Sequence, residues 1–180
     1  MCVARTCVWL TRACADGTSQ VVKLVNEMSD AERSSVSGII LLSGSMPGRD
    51  GGHPIMMLPC FLLNWLQPIL SNAFREKAYA AGTDSAILDK SLERSSCNPM
   101  NVCKYFYVQS KWATMQECKG VTCKALVVHG SADQILPIEQ GRTLAAALPS
   151  SEFVEVQGCS HQIMEERPME LADIMTRFMS

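Results

Sequence analysis

Two stretches of this chain run through an apolar segment to a glycine and then set a proton-carrying side chain on a turn. The first is Lys124-Ala-Leu-Val-Val-His-Gly130, followed by Ser131-Ala132-Asp133 and, after three more residues, Pro137. The second is Glu152-Phe-Val-Glu-Val-Gln-Gly158, followed by Cys159-Ser160-His161. A carboxylate and an imidazole held side by side are suited to moving protons near neutral pH. Asp133 alone would serve as a turn residue, and His161 alone as a histidine capping a strand-end turn. Their joint placement carries the functional reading. In parallel α/β sheets, working groups gather just past the carboxyl ends of the strands, where an Asp and a His from neighbouring strands can meet.

The elements that must hold them follow from short, unalternating apolar runs. Gly38–Leu42 (GIILL), Ala125–Val128 and Phe153–Val156 read as parallel strands covered on both faces. Helical patterns lie at 140–148, after Pro137, and at 168–179, which opens on Pro168 and aligns Leu171, Ile174, Met175 and Phe178. Strand and helix in alternation give an α/β fold, expected as about three parallel strands with flanking helices. Residues 2–14 place Val3, Cys7, Leu10 and Cys14 at helical spacing, so a helix is predicted there, ending at Ala15-Asp16-Gly17. An amphipathic stretch follows at 19–28, and Ser29-Asp30-Ala31-Glu32 has the form of a capping box. About seventy residues separate the first two predicted strands, too many for a plain crossover. They predict an inserted helical subdomain over 49–120, with helices near 69–80 and 84–93, between core parts at 1–48 and 121–180.

VVHGSADQILP and, further on, VQGCSHQIMEERP resemble the carboxy-terminal end of the α/β-hydrolase superfamily, in particular its abhydrolase-type serine hydrolases. The likeness covers about 121–180 and extends less firmly to 1–48. It implies a partial α/β-hydrolase fold in which the 49–120 insertion is a helical cap or lid over the site, Asp133 is the triad acid and His161 the base. The acid would fix the imidazole tautomer, and the base would deprotonate a nucleophile and then a water. The family order is nucleophile, acid, histidine, with the nucleophile on a G-x-S-x-G elbow between a strand and a helix. Glycines four apart are Gly44/Gly48 and Gly48/Gly52, centred on Met46 and Asp50, so no such elbow is spelled out. Ser43 and Ser45 follow a strand but no helix directly follows them, and Cys159 is a poor nucleophile because side chains adjacent in a tight turn seldom point together. The expectation is therefore a truncated chain whose nucleophile and oxyanion hole lie before Met1. The implied reaction is hydrolysis of an ester or related acyl bond on a small lipophilic substrate, without metal or organic cofactor. A non-catalytic remnant or binding module is the alternative, as is a parent of the epoxide hydrolase or dehalogenase type with an Asp nucleophile.

Sixteen Lys+Arg against eighteen Asp+Glu leave a net charge of -2, which argues against a nucleic-acid partner. Hydrophobic residues make up 47 % of the 180, enough for a real core and too many for a disordered chain. The nine cysteines are odd in number and include no C-x-x-C pair, so they read as reduced thiols. Cys97, Cys103, Cys118 and Cys123 fit zinc-ribbon spacing poorly. Arg5 and Arg12 interrupt any signal-peptide core, and a cytoplasmic location is expected. Residues 55–70 are apolar but too short and too interrupted to span a bilayer, leaving peripheral membrane contact as a role for them. His129 is expected to pack near its strand end, His53 to sit in a solvated loop, and Glu165, Glu166 and Arg167 to form a solvated helix start. Without upstream strands, the GIILL strand would be an exposed edge prone to self-association.

Overall fold

The computed structural model describes residues 8–13, 15–45, 47–48, 54–109 and 111–180. His53, Cys2, Cys7 and Cys14 lie outside the described residues. Four strands, β1 (Val8–Ala13), β2 (Val36–Leu42), β3 (Lys124–Gly130) and β4 (Ser151–Val156), form one sheet in the order β1-β2-β3-β4. Every neighbouring pair is parallel. The three expected strands are β2, β3 and β4. Their side chains alternate between the two faces of the sheet, and each face is covered by helices.

On one face Ile39, Leu41, Ala125 and Val127 pack with Val22 and Val25 of α1 (Ala15–Glu27) and with Leu144 of α7 (Ile138–Ala147). On the other face Ile40, Leu42, Leu126 and Val128 pack with Ile163 of α8 (Ile163–Glu166) and with Leu171 and Ile174 of α9 (Pro168–Met179). Burying one such side chain fully stabilises the fold by roughly 1.5–3 kcal/mol. Between α1 and β2 lies the one-turn α2 (Asp30–Arg33), where Ser29 and Glu32 make the expected reciprocal capping box.

Two expectations are corrected. Residues 8–13 form a strand, and the helix starts at Ala15, where the predicted one was to end. Val8, Trp9 and Thr11 are strand formers, and pairing along β2, from Val8↔Val36 to Ala13↔Leu42, outweighs the helical spacing of Cys7 and Leu10. Consequently β2 is not an edge strand. It lies between β1 and β3, with Ile39, Ile40 and Leu41 fully buried, so the predicted exposed GIILL edge does not exist.

Between β2 and β3 come α3 (Cys60–Ala78), α4 (Ser85–Ser96), α5 (Met100–Gln109) and α6 (Met115–Lys119). The helix predicted over 69–80 is the second half of α3, which starts after Pro59 and continues through Pro68. Met57, Phe61, Trp65 and Ile69 remain largely exposed along this segment. Among the described residues no helix is long and apolar enough to cross a membrane.

Candidate active site

Gly130 closes β3 and Val156 closes β4, and the two turns that follow are bonded to each other through their backbones. Ser131 N donates to Val156 O at 3.0 Å, and Ala132 N donates to Cys159 O at 2.9 Å. Gly158 N donates to Ser131 Oγ at 2.8 Å, with Gly158 itself at φ 65°, a left-handed turn conformation that a side chain would oppose. Gly130 is needed for space. A Cβ there would lie 2.3 Å from the carbonyl oxygens of both Cys159 and Ser160.

This stitching brings Asp133 and His161 together. Asp133 Oδ1 accepts from the amides of Ile135 and Leu136, both at 2.8 Å, as an Asp closing its own turn does. Its Oδ2 lies 2.8 Å from Nδ1 of His161 and 3.4 Å from Nε2 of His129. All three side chains are buried. Because a carboxylate accepts, the His161 proton on this bond sits on Nδ1, and Nε2 is left with the lone pair that can take a proton.

His129 stands behind the pair. Its Nε2 also lies 2.8 Å from Leu136 O, an acceptor, so that nitrogen donates, while buried Nδ1 has no partner and packs against Gly141 of α7. The expectation that His129 packs near the strand end is thus extended, since the ring also faces the Asp133 carboxylate.

Burial by itself would raise the Asp133 carboxyl. Hydrogen bonds from His129 and His161, electrostatic attraction to the His161 ring and the Leu136 amide outweigh it and hold the group well below the usual carboxylate range. Since the folded value lies below the unfolded one, ionised Asp133 stabilises the fold above about pH 4 and loses that contribution as pH falls beneath it. Urea unfolding midpoints should therefore drop more steeply between about pH 4 and pH 2.5 in the natural chain than in Asp133→Asn. Parallel pH dependences in the two would contradict this assignment.

Ser43 follows β2 with φ 49°, and its buried hydroxyl donates to the backbone carbonyl of His161 at 2.8 Å. It braces the histidine turn, and its hydroxyl faces that carbonyl. Ser45 Oγ is buried without a partner. Cys159 is buried, and its Sγ donates to Glu166 Oε2 at 3.0 Å. Burial and that carboxylate push the thiol far above the ordinary cysteine range, the opposite of an activated nucleophile. Cys118 is likewise pushed up, to about 11, mainly by burial. Among the described residues no three His, Cys, Asp or Glu side chains converge as metal ligands, and Cys97, Cys103, Cys118 and Cys123 are free thiols.

Glu165 and Glu166 correct their expectation as a solvated helix start. Glu165 accepts from Tyr79 Oη and Arg94 Nη2, each at 2.6 Å. Burial first, and then Glu165, push the Tyr79 hydroxyl up to about 12. Glu166 accepts four hydrogen bonds from two separate segments. No local pattern could reveal this, because Ala80 and Thr83 lie more than eighty positions upstream.

The strand-to-helix connection that precedes these turns is also informative. One residue, Cys14, separates β1 from α1, within the sequence Ala13-Cys14-Ala15-Asp16-Gly17. Ala13 pairs with Leu42, so the carboxyl end of β1 lies at the same edge of the sheet as Ser43 and the Asp133 and His161 turns. A strand followed closely by a helix, expected before Met1, is therefore present inside the chain, without a serine.

Residues 92–179 match the family described as TAP-like protein. Among solved structures, the chain is similar to a thermophilic esterase from Thermogutta terrifontis, with a TM-score of 0.76 and 14% identity over 96% of this chain and 64% of that one. It is also similar to a bromoperoxidase from Bacillus anthracis, with a TM-score of 0.73 and 15% identity over 96% and 67%. A Rhodococcus esterase aligns with a TM-score of 0.70 and 16% identity over 95% and 64%. The chain thus spans 64% to 67% of the length of these three.

Proposed function

We propose that this chain belongs to the α/β-hydrolase superfamily and contributes the acid and base for hydrolysis of an ester or related acyl bond. The observation that carries the proposal is the buried Asp133–His161 pair at 2.8 Å, at the carboxyl edge of a parallel sheet. Asp133 holds the Nδ1 proton and stabilises the imidazolium. His161 Nε2 withdraws a proton from the attacking group and returns it to the leaving one. A small lipophilic substrate suits the exposed Met57, Phe61, Trp65 and Ile69, which offer apolar contact to an acyl chain or a lipid surface.

The test is hydrolysis of short p-nitrophenyl esters by the chain, compared with His161→Ala. Turnover that disappears in the variant supports the proposal, and equal rates in the two overturn it.

A second reading, a non-catalytic binding module, is favoured by one observation. The β1–α1 connection carries no serine. Both readings share an expected outcome: a fluorophosphonate probe labels neither Ser43 nor Ser45, because Ser43 is committed to the His161 carbonyl and Ser45 is buried. Mass spectrometry locating the probe on either serine would contradict that. The ester assay then separates the two readings, since a binding module has no His161-dependent turnover.

A further inference from the structure

Four donors converge on the single carboxylate of Glu166. Its Oε1 accepts from the Ala80 amide and from Thr83 Oγ1 at 2.7 Å, both in the turn between α3 and α4. Its Oε2 accepts from the Ser160 amide at 2.6 Å and from Cys159 Sγ at 3.0 Å, both in the turn that carries His161. One oxygen therefore holds the inserted helices and the other holds the base turn. The end of α3 itself meets the His161 turn twice more. Ser160 Oγ donates to Lys77 O at 3.1 Å, and Gln162 N donates to Ala78 O at 3.2 Å.

We infer that Glu166 is a positioning residue that couples the α3–α4 turn to His161, so that the inserted helices set the orientation of the base. The inference rests on His161 being the base of the proposed reaction. The physical reason is geometric. The backbone on the amino side of His161 is held by Glu166 at the Ser160 amide, and that on its carboxyl side by the Ala78 carbonyl at Gln162 N. The imidazole is aimed at Asp133 from between those two anchors. Hydrogen bonds to an ionised carboxylate are stronger than neutral ones, and the carboxylate serves both sides only while ionised. Glu166 is held below the usual range because, although burial raises it, the Cys159, Ala80, Ser160 and Thr83 donors lower it further. A glutamine there would keep one accepting oxygen and present an NH2 group to the donors on the other side.

The experiment reads the low-field Nδ1 proton of His161 by NMR, together with amide exchange at Ala80 and Ser160, in the natural chain, Glu166→Gln and Thr83→Val. Coupling predicts that the His161 proton exchanges at least about tenfold faster in Glu166→Gln. It predicts a smaller change of the same sign in Thr83→Val, although among the described residues the Thr83 hydroxyl bonds only Oε1 of Glu166 and Ala80 O and no group of the His161 turn. An Ala80 amide that opens while the His161 proton stays as protected as in the natural chain would overturn the inference. If Glu166→Gln does not fold, Thr83→Val decides on the same readout. No turnover enters the measurement, so failure of the ester assay and failure of this coupling are separate results.

Discussion

Asp133→Asn is expected to lower ester hydrolysis about 10,000-fold, the scale of loss when a carboxylate that sets an imidazole tautomer becomes an amide. The effect comes from which atoms face the ring. An asparagine keeps its carbonyl oxygen on the Ile135 and Leu136 amides, where Asp133 Oδ1 accepts two bonds. Its NH2 group then occupies the Oδ2 position, 2.8 Å from His161 Nδ1. Two donors cannot share that contact, so the ring proton moves to Nε2 and the lone pair needed by the substrate side is lost. The same NH2 group also meets His129 Nε2, which already donates to Leu136 O. Rates with a p-nitrophenyl ester measure the loss, and imidazole nitrogen shifts report the tautomer. A decrease of less than about tenfold would remove Asp133 from the role of orienting acid.

Gly130→Ala is expected to cost at least about 3 kcal/mol of stability, since overpacking against an unyielding neighbour lies at the severe end of such substitutions. The new Cβ would lie 2.3 Å from two backbone carbonyl oxygens, those of Cys159 and Ser160, and no side chain can rotate away to relieve it. The β4 turn must shift, taking His161 with it, so ester hydrolysis should fall together with stability. In a domain of this size the cost corresponds to a fall in Tm of about 6–12 °C. Gly158→Ala is the control. Its backbone is at φ 65° but nothing lies within 4 Å of the added Cβ, so only the conformational penalty applies. That penalty is roughly 1 kcal/mol. Thermal unfolding of the two variants gives the comparison, and equal losses would show that close approach at Gly130 is not the constraint.

Much of this arrangement is legible in the residue order because it depends on local chemistry. A strand buried on both faces must be apolar throughout, which is why GIILL and ALVV stand out. An Asp that closes its own turn is recognisable from the residues around it, and a glycine at the end of each apolar run marks where the chain leaves the sheet. The reciprocal Ser29–Glu32 cap needs only four consecutive residues. Residues 8–13 were not legible for the opposite reason. Cys7 and Leu10 suit a helix or a strand, and only the partner strand, twenty-eight residues further on at Val36, decides between them. That one reassignment also removes the exposed β2 edge and places a strand-to-helix connection inside the chain.

Glu166 marks the same boundary within the site. As a sequence feature it is a charged residue at the start of a helix, and such residues are usually solvated. In the fold it receives donors from Ala80, Thr83, Cys159 and Ser160, segments brought together only when the inserted helices dock. The residue order by itself determined the parallel-strand core and the Asp133 and His161 turns, because apolar runs and turn chemistry act over a few residues. Tertiary structure alone decided that residues 8–13 pair as a strand, that His129 faces Asp133, and that Glu166 joins the inserted helices to the His161 turn. Each of those depends on contacts between distant segments, and no local propensity carries that information.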